Sequence, residues 1–88
     1  MYFAPLQIFG ILIELDRDPP PIQLVTVGLA LDGWEILDRG ADFVVSELRD
    51  VGLQVNRKRL SRCELVDHDE IEAHGRRYLW KDFVRFPK

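Results

Sequence analysis

Cysteine is almost absent from this 88-residue chain. Cys63 stands alone, which excludes an internal disulfide framework and a thiolate zinc cage. Long apolar runs are missing too. The longest, residues 1–13, falls short of the roughly 20 residues a membrane helix needs. It has no basic residue ahead of it and runs into Glu14 and Asp16, which argues against a signal peptide. There is no glycine-rich phosphate loop, no nucleophile elbow, no internal repeat and no low-complexity tract. What is present is 47% hydrophobic and 31% charged residues, the composition of one small folded domain with a single core rather than a disordered segment. A cytoplasmic location is expected, and no membrane partner.

Charge is unevenly placed. Residues 1–48 hold eight acids against two bases, whereas residues 49–88 hold ten bases against seven acids, within a net charge of −3. The bases cluster as Arg57, Lys58, Arg59 and Arg62, then Arg76 and Arg77, then Lys81, Arg85 and Lys88. Such clustering can create a positive patch that a polyanion feels although the whole chain is acidic. A solvated, salt-bridged face is the plainer account of the same residues.

The strongest break is Asp18-Pro19-Pro20-Pro21, where fixed φ angles and missing N–H donors stop any element. Before it, residues 6–15 (LQIFGILIEL) read as a strand with two mostly apolar faces. Such a strand should be covered on both sides, by its own domain or by a second subunit, which makes a homodimer through residues 6–15 one expectation. Residues 22–31 read either as a strand, from their β-branched content, or as a helix launched by the prolines. The stretch 34–40 suggests a short helical turn closed by Gly40. Residues 41–51 (ADFVVSELRDV) give the clearest helical spacing, with Asp42 near the start, Val45, Leu48 and Val51 on one stripe, and Gly52 as terminator. After Gly52 the period changes to two. A tight turn is expected at Asn56-Arg57, and a two-residue hairpin loop at His74-Gly75.

The run Gly52-Leu-Gln-Val-Asn-Arg-Lys-Arg-Leu, followed by Asp69-Glu70-Ile71-Glu72, resembles the alpha-L RNA-binding motif, the domain named after small-ribosomal-subunit protein four. The likeness covers residues 22–80, leaving residues 1–18 as an N-terminal strand extension, and departs from the pattern at Arg57, Cys63 and His68. It implies an α+β single domain in which a short helical pair packs on an antiparallel sheet. It also implies a non-catalytic module for structured RNA, such as ribosomal or transfer RNA. Arg39 and Arg49 would flank the helix, Asn56, Arg57, Lys58 and Arg59 would line the turn, and Arg62, Arg76 and Arg77 would add phosphate contacts.

Other constellations carry less. Asp67, His68, Asp69, Glu70, Glu72 and His74 could suggest a metal or acid–base site, but a strand would divide them between two faces, so a polar hairpin is expected and no metal. Cys63 has no partnered histidine, and neither an enzyme nor a cofactor is expected. Trp34, Tyr78 and Trp80 could stack on bases, yet core packing is the better use of them in so small a domain. The rival to RNA binding is a protein-interaction or homo-oligomerisation module that uses the apolar N-terminal strand.

Overall fold

The computed structural model describes residues 7–40 and 42–85, and within them every regular element is a strand. In chain order these are β1 (Gln7–Glu14), β2 (Ile22–Val25), β3 (Gly28–Ala30), β4 (Trp34–Asp38) and β5 (Phe43–Glu47). They are followed by β6 (Gln54–Val55), β7 (Lys58–Arg59), β8 (Arg62–Leu65), β9 (Glu70–Ala73) and β10 (Arg76–Arg85). One sheet runs β2-β1-β10-β9-β6-β7 and the other β3-β4-β5-β8, and every ladder among the described residues pairs its strands antiparallel. The domain is therefore all-β, which overturns the α+β expectation and with it the helical pair that the alpha-L resemblance requires.

The helix expected over residues 41–51 fails for an identifiable reason. Val45, Leu48 and Val51 fit a three-to-four spacing, but Leu48 is exposed, and the buried run Phe43-Val44-Val45, with its two β-branched residues, favours the pleated choice. Phe43 and Val45 are fully buried, and their neighbours Val44 and Glu64 pair across the β5–β8 ladder. Residues 34–38 are a strand by the same logic, with Trp34 and Ile36 buried and Leu37 exposed. The ambiguity over residues 22–31 resolves into two short strands that belong to different sheets.

The core is the layer between the sheets. Trp34, Ile36, Phe43, Val45 and Leu65 come from one sheet, and Leu12, Val55, Ile71, Ala73, Tyr78 and Trp80 from the other. Aromatic pairs join the layers: Trp34 meets Tyr78 at 5.3 Å between ring centroids, and Phe43 meets Trp80 edge-on at 5.0 Å. Each large buried side chain contributes on the order of 2–3 kcal/mol, so this layer holds the domain together more than any single hairpin does. Trp34, Tyr78 and Trp80 are packing residues and are not available to stack on a ligand. Gly10 lets Trp80 in: a Cβ there would lie 2.1 Å from the indole ring.

β1 is an interior strand, flanked by β10 along its length and by β2 over residues 10–13. One edge of β1 is thus occupied along its length and the other over residues 10–13, so at those positions the strand pairs within its own domain (residue 6 lies outside the described residues). Leu12 is buried, whereas Ile11 and Ile13 on the opposite face are only half-buried.

Candidate functional site

The basic turn is where the sequence places it. β6 and β7 form a two-residue hairpin, with Asn56 at φ 51° and Arg57 at φ 69°. Two successive left-handed residues match the right-handed twist of the strands they join. Asn56 fixes the turn from its own side chain. Its Nδ2 donates to Asp69 Oδ1 at 2.8 Å, and its Oδ1 accepts from the Glu70 backbone N–H at 3.0 Å. Asp69 is itself buried and accepts from the Val66 N–H at 2.8 Å. A two-residue tip standing on β9 is thereby held in one orientation, with Arg57 and Lys58 exposed.

The neighbouring bases have internal partners. Arg59 donates from Nη1 to Glu47 Oε1 and from Nη2 to Asp50 Oδ1, each at 2.9 Å, and reaches the Leu53 carbonyl at 3.2 Å. Glu47 Oε2 also accepts from the N–H groups of Val51 and Leu53. The Arg59 guanidinium, helped by those two amides, pulls the Glu47 carboxyl down to about 2. Arg49 pairs with Asp32, and His74 Nε2 lies 2.7 Å from the Asp32 carbonyl. Arg77 holds Asp16 with two bonds at 2.9 and 2.8 Å and stands 3.7 Å from Glu70. Arg76 lies 3.7 Å from Glu14, which Arg17 also contacts at 2.9 Å.

Of the nine residues expected to grip RNA, four are thus tied to carboxylates and Asn56 is a structural support. Arg39, Arg57, Lys58 and Arg62 make no ion pair among the described residues, but they do not form one surface. Arg39 and Arg62 border a shallow groove with Asp42 and Glu64 between them. Asp42 sits close enough to Glu64 to raise its carboxyl above the usual range, so the groove already contains crowded acids. Arg57 borders a small hollow of about 130 Å³ with Gln54, Glu70, Ile71, Glu72 and Arg77. Two carboxylates beside two guanidiniums suit a polar, mixed-charge ligand better than a polyanion, whose affinity comes from cations that release counterions.

The remaining clusters are dispersed. His68 pairs with Asp67 at one turn, while His74 lies at the β9–β10 hairpin, and no group of three metal-ligating side chains occurs among the described residues. Burial, together with Asp69 and Glu64, pushes the Cys63 thiol up, the direction opposite to a reactive thiolate. No described helix is long and apolar enough to cross a membrane. Glu47 and Asp69 are the two carboxylates that organise this end of the domain; the sequence places Asp69 in the motif and in the polar cluster but gives neither residue its bracing role. That role is hidden locally because the side-chain partners Arg59 and Asn56 lie 12 and 13 residues away.

No family model and no curated protein matches the sequence. Among solved structures, the chain is similar to one described as the Rv0020c FHA structure. The TM-score is 0.67 at 14% identity, over 91% of this chain and 96% of that one. The alpha-L resemblance and the structured-RNA partner are therefore withdrawn: the likeness is to an all-β sandwich, and the described residues supply neither the required helices nor a continuous basic surface. What the likeness establishes is the fold, a two-sheet sandwich of the FHA kind.

Proposed function

We propose that this chain is a non-catalytic, cytoplasmic protein-interaction module that takes a phosphorylated peptide, the ligand class of FHA domains. The observation that carries the reading is the match to an FHA sandwich across 91% of the chain. The β6–β7 tip supports it. A phosphoryl group needs cations not already neutralised, and Arg57 and Lys58 are such a pair, adjacent and presented on a braced turn. The hollow next to the tip adds a preference. Glu70 and Glu72 on its wall favour a peptide whose phosphorylated residue is flanked by a basic one.

The test is a fluorescence-polarisation screen of phosphoserine-, phosphothreonine- and phosphotyrosine-containing peptides, each beside its unphosphorylated twin. The reading expects at least one phosphorylated peptide to bind more than tenfold tighter than its twin. Arg57→Ala with Lys58→Ala should remove that difference, whereas Arg62→Ala should leave it intact. Equal affinity for every pair, or no binding at all, overturns it.

A further inference from the structure

Among the described residues, the outermost strands of the two sheets are not alike. β7 presents Lys58 and Arg59, and β8 presents Arg62 and Glu64. β3 is only three residues long and begins with glycine. Charge and brevity are the devices that keep sheet edges from pairing with other chains. β2 has no charge: residues 19–31 contain no Asp, Glu, Lys or Arg. Ile22 and Leu24 are nevertheless 61% and 63% exposed.

The register shows which backbone groups this edge offers. Glu14 N–H donates to the Pro21 carbonyl at 2.9 Å, so residues 14 and 21 form a bonded pair in the β1–β2 ladder. Bonded and non-bonded pairs alternate in an antiparallel ladder. Leu12↔Gln23 is therefore bonded, while Ile13↔Ile22 and Ile11↔Leu24 are not. The N–H and C=O groups of Ile22 and Leu24 consequently point away from β1, toward the open side. Their side chains lie on the outer face beside half-buried Ile13 and Ile11.

We infer that β2 is a homodimer edge, pairing antiparallel with β2 of a second copy about a two-fold axis at Gln23. A strand rotated onto itself about Gln23 sets Ile22 opposite the second copy's Leu24, and Leu24 opposite its Ile22. All four outward backbone groups of each copy then find a partner, and the two six-stranded sheets become continuous. The occupant is a second copy because the register is self-complementary, as an isologous contact requires. Charge points the same way: an acidic chain meets itself without repulsion only along an uncharged segment, and β7 would set cation against cation. Three residues of strand and four apolar side chains per copy lie well below the roughly 800 Å² per partner of a standard interface. The dimer is accordingly weak and concentration-dependent.

Sedimentation equilibrium from about 10 µM to about 1 mM, the range of weak association, tests this on the full chain. The average mass should rise toward that of a dimer. Ile22→Lys with Leu24→Lys should stay monomeric, and so should Ile22→Glu with Leu24→Glu, both folded by circular dichroism because these positions are exposed. Mixing the two charged variants should restore a dimer through the opposed charges of this register. Val66→Lys, at an exposed site off the edge, should dimerise like the parent. A parent that is monomeric throughout overturns the inference. So does a dimer that survives either charged pair alone, or a mixture of folded variants that does not associate.

Discussion

Arg57 and Arg59 are two residues apart and have opposite circumstances. Arg59 crosses to Glu47 and Asp50 and joins the β6–β7 hairpin to the end of β5 and the segment after it. Arg57 occupies the second of the turn's two left-handed positions and meets no carboxylate in an ion pair among the described residues. Linear charge density does not separate them. What does is the two-residue loop, which turns one guanidinium back along the domain and the other outward. One is part of the scaffold and the other is available to a ligand.

The largest effect is expected at Asn56, which supports the tip that carries Arg57. Asn56→Ala removes two side-chain hydrogen bonds, leaves Asp69 short of a donor and places alanine at positive φ. Urea denaturation should show a loss of about 2–3 kcal/mol. The tip's ligand contact should weaken in the same variant.

Next comes the carboxylate beneath Arg59. Glu47 has a folded-state pKa of about 2, below its ordinary value of 4.5. Its stabilising contribution is therefore complete above about 4.5 and disappears as pH falls toward 2. Glu47→Gln should be less stable than the parent at pH 7, and thermal melts of the two should converge between those limits. A gap that stays constant to pH 2 would assign the effect to packing rather than to the ion pair.

Arg57→Gly should stabilise the domain by about 0.5–1 kcal/mol, because glycine adopts φ 69° without the Cβ penalty. The smallest effect is expected for Arg57→Ala with Lys58→Ala, whose midpoint in urea should stay within about 0.5 kcal/mol of the parent. A larger loss would mean that the tip belongs to the scaffold after all.

Local chemistry was legible from the sequence, and partnership was not. The turn at Asn56-Arg57, the hairpin at His74-Gly75, the strand before the prolines and the period-two pattern after Gly52 all stand in the structure. Each rests on residues that are neighbours in the chain. The helix over 41–51 failed because Phe43-Val44-Val45 is too short a run to separate a period of two from one of 3.6. The basic surface failed because Arg77 finds Asp16 from 61 positions away and Arg49 finds Asp32 from 17. Nothing in the local pattern reveals which arginines a fold will neutralise.

The ladder between β1 and β10 sets Gln7 beside Arg85 and runs in opposite directions from there. Tension applied through these two ends would load the first rung alone, then the next, opening the strands in sequence like a zipper. The domain would yield at low force, although the sandwich behind that ladder is closely packed.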